Sequence, residues 1–162
     1  MSGLFLALAV AAAPAPAAPS LRAELEPLRF LVGHCWRGDM KGGSQQDRHC
    51  FEPVFDGQHI RDRHEVTGGT SIYRGETIYS WNGAAKRIEY VYWNSIGGVS
   101  RGSMTPRPGL LDFGGETYTG ADGRRLTLST VWRRIDERSY EARTTSANAP
   151  TGDRIVRFTR ID

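Results

Sequence analysis

Two imidazoles and a carboxylate, His49, Asp62 and His64, are the side chains best suited to chemistry in this sequence. On an extended backbone an Asp-x-His spacing puts both groups on one face, because successive side chains alternate. A carboxylate accepting from an imidazole fixes its tautomer, which makes a satisfied polar network the plainest expectation. The same set offers acid–base chemistry, with His64 oriented by Asp62 and His49 as its partner. Two imidazoles and a carboxylate are also metal donors, yet no fourth ligand is evident and no metal or other cofactor is assigned. No Gly-x-Ser-x-Gly elbow is present, so no nucleophile or other catalytic residue is named. Tyr73, Tyr79, Tyr90 and Tyr92 add apolar walls with hydroxyl handles. The candidate ligand-binding set is therefore His49, Asp62, His64, Tyr73, Tyr79, Tyr90 and Tyr92.

Strands must position these groups. After Gly33 the pattern alternates with period two, broken by Gly42-Gly43, Asp56-Gly57, Gly68-Gly69, Asn82-Gly83, Gly97-Gly98, Pro108-Gly109, Asp122-Gly123, Asp136-Glu137 and a loop over Asn148–Gly152. These breaks divide the chain into about ten short strands, and hairpins between all neighbours favour an all-β, antiparallel up-and-down barrel. His59, Arg61, Arg63 and Glu65 are polar and face out, so Ile60, Asp62, His64 and Val66 face in. Phe51 and Phe55 mark the inward parity of the preceding strand, which carries His49. A two-residue turn at Asp56-Gly57 opposes His49 and His64. A similar turn at Gly68-Gly69 would oppose His64 to Tyr73 and Asp62 to Gly75. An Asp122-Gly123 hairpin would set Phe113 opposite Trp132, with Leu126 and Leu128 also inward. Gly114-Gly115 reads as a turn or a bulge. Ahead of the strands, Ser20–Leu31 reads as a short helix capped by Ser20 and divided at Pro27.

The Gly42-Gly43 turn opposes Cys35 to Cys50 at about 5.5 Å, a spacing that a disulfide spans. Residues 1–18 carry no charged side chain and contain an apolar run over Leu4–Ala13 followed by Ala-x-Ala sites, the pattern of a cleavable signal. The expected organisation is a signal over 1–18 and one barrel domain over 19–162, in the periplasm or secreted, where a disulfide persists. The 21 Lys and Arg residues are interspersed with 18 Asp and Glu, so the concentrated basic stripe of a nucleic-acid binder is missing. The leader is too short to span a bilayer, and no stable membrane insertion is expected. Oligomeric state leaves no trace in the sequence.

Gly33-His34-Cys35-Trp36-Arg37-Gly38, the run Gly75-Glu76-Thr77-Ile78-Tyr79-Ser80-Trp81 and the strand Arg87-Ile88-Glu89-Tyr90 resemble the lipocalin-like (calycin) superfamily, especially exported bacterial members of unknown function. The Gly-x-Trp signature is similar to that of the fatty-acid-binding and nitrobindin-like barrels, with one additional residue between Gly33 and Trp36. The resemblance implies that Trp36 plugs one end of the barrel. Nitrobindin-like members hold haem through a late histidine, whereas no histidine follows His64 here, so haem is not expected. The leading functional expectation is an exported protein that binds a small, largely apolar or amphipathic molecule in the barrel. An enzyme using the inward His/Asp cluster and a structural or inhibitory partner with a filled barrel are the alternatives.

Overall fold

The structure is a computed structural model that describes residues 20–147 and 153–162, without the side chain of Lys41. The expected signal and the last loop lie outside the described residues. Ten antiparallel strands close into a barrel: β1 (Cys35–Met40), β2 (Gln45–Val54), β3 (His59–Thr67), β4 (Tyr73–Asn82), β5 (Arg87–Asn94), β6 (Val99–Arg107), β7 (Leu110–Thr119), β8 (Arg125–Arg134), β9 (Ser139–Ser146) and β10 (Arg154–Arg160). Each strand pairs with its sequence neighbours, and β1 pairs with β10 to close the ring. Closure removes the free sheet edges that would otherwise template association.

One end is sealed by a 3₁₀ helix over Ala23–Leu28, in place of the helix expected across Ser20–Leu31. Ser20 does not cap it; Arg22 occupies the N-cap with no side-chain hydrogen bond. Pro27 lacks the N–H that an α-helical ladder needs, and the turns are held by i→i+3 bonds such as Leu25 N–H to Arg22 O and Arg29 N–H to Glu26 O. With three residues per turn, side chains three apart share a face. Leu25, Leu28 and Leu31 accordingly are all 0% exposed, seated on the barrel core. Trp36 is buried beneath them, donates from Nε1 to Leu31 O at 3.3 Å, and meets Tyr140 edge-on at 5.2 Å between ring centroids. Rings continue the packing: Trp132 lies 4.7 Å from Phe113 and 5.3 Å from Tyr140, and Tyr140 stacks on Phe158 at 4.9 Å.

The Cys35–Cys50 disulfide is formed, and the two residues are directly paired across β1 and β2. Their Cα atoms are 4.1 Å apart, near the closer of the two antiparallel spacings rather than the wider one. The outer face of β2–β4 carries ion pairs: Arg61 and Arg63 with Glu52, and Arg74 with Glu65. This charged face of β2–β4 differs from the apolar outer band of a transmembrane barrel. No helix among the described residues is long and apolar enough to cross a membrane.

Three expectations about register and facing need correction. Phe55 does not face the core: it occupies the turn with φ 52° and is 76% exposed, although the pairing set by that turn is as expected. The loop between β3 and β4 spans Gly68–Ile72 rather than two glycines, so His64 pairs with Gly75, Val66 with Tyr73 and Asp62 with Thr77. This shift of two preserves every facing. Phe113 does not oppose Trp132; Leu111 does, because β7 contains an irregularity between Asp112 and Gly115.

Candidate functional site

Inward alternation on β2 places Asp47, His49 and Phe51 on one face, and on β3 Ile60, Asp62 and His64. His49 and His64 are directly paired across the two strands, with ring centroids 4.7 Å apart. His49 Nδ1 lies 2.8 Å from Asp62 Oδ2, and His49 Nε2 lies 3.3 Å from Asp47 Oδ2. Asp47 Oδ1 is 3.1 Å from His64 Nδ1. Nε2 of His64 is 3.0 Å from the Tyr92 hydroxyl, which in turn hydrogen-bonds the Tyr73 hydroxyl. The result is one continuous chain from the buried Asp62 to the half-buried Tyr73: Asp62, His49, Asp47, His64, Tyr92, Tyr73. The carboxylate that orients His64 is thus Asp47, while Asp62 serves His49.

Gly75 makes this arrangement possible. A Cβ there would collide with the rings of both His64 and Tyr92, so the strand opposite His64 must lack a side chain at that point.

Burial disfavours a charged His49, but the carboxylates of Asp62 and Asp47 outweigh it and hold the imidazolium well above the usual histidine range. Burial likewise opposes ionisation of Asp47, and hydrogen bonds from His49 and His64 hold it well below the usual carboxylate range. Burial pushes the Tyr92 hydroxyl upward, reinforced by its bond to Tyr73. Burial also raises Tyr90, with the nearby Glu116 carboxylate adding to the effect.

Of the residues singled out from sequence, His49, Asp62, His64, Tyr73 and Tyr92 form this one network. Tyr79 and Tyr90 also face inward but belong to the aromatic layer with Phe113, at 6.3 and 5.7 Å between centroids. Tyr90 donates to Glu116 Oε2 at 2.7 Å and Ser100 donates to Glu116 Oε1 at 2.6 Å, a second inward polar group. Asn94 Nδ2 donates to the Tyr118 hydroxyl at 3.2 Å.

Asp47, Asn94, Ser100, Glu116 and Tyr118 were missed from the sequence. Asp47 had a signal, since it precedes His49 by one alternation on the same face. Glu116 had a weaker one: Leu111 and Phe113 point in at odd positions, and Gly114, at φ 55°, shifts the alternation so that Glu116 and Tyr118 point in at even ones.

Across the barrel, β8 and β9 present Leu126, Leu128 and Thr130, with Thr144 and Ser146, on the inward alternation of Trp132 and Tyr140. Thr130 and Thr144 hydroxyls are 3.1 Å apart. Trp132 and Tyr140 are buried, yet these five residues, nearer the other end, are only half-buried. Inward-facing side chains in a closed barrel reach solvent only through its mouth. Among the described residues, the interior is therefore more exposed in the half away from the 3₁₀ helix; this half, the cup, is polar on the β2–β5 side and partly apolar on the β8–β9 side.

A recess of about 740 Å³, lined on the outer face by Arg48, Cys50, Arg63, Glu65 and Trp93, also reaches His64, Gly75 and Asn94. No protein-family model matches the chain, and no curated protein matches it in sequence.

Proposed function

We propose that this protein is an exported, lipocalin-like binding protein that holds a small amphipathic molecule in the open half of its barrel. The observation that carries the reading is the burial gradient along β8 and β9: Trp132 and Tyr140 are buried, whereas Leu126, Leu128, Thr130 and Thr144 face the same interior only partly buried. Apolar parts of an occupant would rest on Leu126 and Leu128. Its polar parts would meet the hydroxyls of Tyr73 and Tyr92, the latter held by His64, the mix of apolar wall and few directed groups that small-molecule sites use. His49 and Asp62 hold His64 in place from below through Asp47. The ten-strand barrel and the plugging position of Trp36 support the lipocalin-like assignment. The disulfide supports export, since such a bond persists in oxidising compartments.

Titration with the fluorescent amphiphile 1-anilinonaphthalene-8-sulfonate tests the reading. Saturable binding of one probe per chain is expected, with loss of binding in Leu128→Arg, which fills the cup with a charged side chain. No saturable binding by folded wild-type protein, or equal binding by the variant, would overturn it.

A further inference from the structure

The polar floor of the cup contains a donor set that the sequence did not assemble. Asp47, His49 and His64 each offer one metal-ligating atom, and those atoms all lie within 4.8 Å of one another. Bonds of 2.0 to 2.1 Å in a tetrahedral zinc centre put neighbouring ligand atoms about 3.3 Å apart. The separations here are 3.3 Å from His49 Nε2 to Asp47 Oδ2 and 3.1 Å from His64 Nδ1 to Asp47 Oδ1. Both imidazoles thus converge on one carboxylate at close to that spacing, each toward a different oxygen.

Each imidazole is also held from behind. Asp62 accepts at His49 Nδ1, leaving Nε2 directed at Asp47, and Tyr92 engages His64 Nε2, leaving Nδ1 directed there. Metal-binding histidines typically have their second nitrogen fixed by a carboxylate or hydroxyl in this manner, which sets the tautomer and the ring orientation. The donors are well enclosed, with side-chain exposures of 11% for Asp47, 12% for His49 and 13% for His64. Two carboxylates, Asp47 and Asp62, stand in the barrel interior with histidines as their ion-pair partners.

We propose that Asp47, His49 and His64 form a binding site for a divalent transition-metal ion of the zinc class, with Asp62 and Tyr92 as positioning residues. Imidazole nitrogen with a single carboxylate suits zinc and its first-row neighbours, whereas calcium and magnesium need more oxygen donors. Asp62, the ligand suggested by the Asp-x-His spacing, is replaced in that role by Asp47. The site does not depend on the amphipathic occupant proposed above, because metal alone is its probe.

Cobalt(II) titration of disulfide-intact, untagged protein tests the site, with visible d–d absorption reporting coordination and zinc displacing it. One saturable equivalent per chain is expected. Asp47→Asn and His64→Phe should each weaken binding at least 100-fold, and Asp62→Asn by about 10- to 100-fold as a change behind a ligand. His34→Ala alters the pair with Asp162 elsewhere on the chain and should leave binding unchanged. Circular dichroism of each variant confirms that it is folded, and any variant that is not is replaced by Asp47→Ser or His64→Gln. Failure of folded wild-type protein to take up cobalt or zinc saturably, or uptake that survives Asp47→Asn in a folded protein, would overturn the site. Metal uptake without amphiphile binding would leave the site intact and remove the cup reading alone.

Discussion

Asp62 Oδ2 lies 2.8 Å from His49 Nδ1, and Asp62 is almost fully buried. Removing the carboxylate leaves an imidazole facing an apolar interior with one partner fewer. Breaking a buried pair by deleting one member typically costs about 3 to 5 kcal/mol. Asp62→Ala should lose stability of that order in urea unfolding of metal-free protein, and Asp62→Asn less, since its amide oxygen still accepts. Wild-type stability in Asp62→Ala would show that the pair contributes nothing.

Gly75 stands directly opposite His64. A methyl group there meets the His64 and Tyr92 rings, so Gly75→Ala should destabilise by about 1 to 3 kcal/mol, as overpacking does. It should also move the His64 ring, visible as a change in its NMR ring-proton shifts. Unchanged stability and unchanged shifts would mean that the space opposite His64 is not needed.

Burial raises Tyr79 and Tyr140 well above their ordinary range, and burial with the Glu116 carboxylate raises Tyr90. A folded-state value above the unfolded one means that the stabilisation is fully present below about pH 10 and is lost as pH rises beyond it. In an alkaline titration, tyrosinate absorbance from these three residues should appear together with unfolding. Ionisation of all six tyrosines in protein that remains folded would contradict the packing of this layer.

The Cys35–Cys50 bond closes a loop of sequence separation 15. In the chain-entropy account such a loop contributes about 3 kcal/mol. Replacing both cysteines by alanine should lower the unfolding free energy by up to that amount while leaving the far-ultraviolet spectrum unchanged. Two reactive thiols in denatured, unreduced wild-type protein would show that the bond does not form.

Much of the barrel was legible because alternation and turn residues are local signals. The Asp56-Gly57 turn fixed the facing of His49 to His64 even though Phe55 turned outward, since the pairing depends on where the turn is centred and not on which residues pack. The next turn was not legible to the same degree. Gly68, Gly69, Thr70 and Ser71 all tolerate turns, so composition does not say which pair is central, and the register slipped by two. Gly114 could be recognised as a turn or bulge residue, but only its neighbours on β6 and β8 show that it reverses the facing of Glu116. Asp47 is harder to read, because an acidic residue close to a glycine hairpin resembles surface, although its alternation with His49 and Phe51 points inward. The N-terminal segment was legible as a short helix divided at Pro27, while the N–H that this proline lacks favours the 3₁₀ turns that form.

Methyl NMR separates the interior cup from the outer recess most directly. Protein labelled at leucine and threonine methyls and at tryptophan side chains is titrated with 1-anilinonaphthalene-8-sulfonate. The account expects saturable shifts at Leu126, Leu128, Thr130 and Thr144, with Trp93 on the outer face unmoved. Shifts confined to Trp93, with the four interior residues unchanged, would place the binding surface outside the barrel and contradict it.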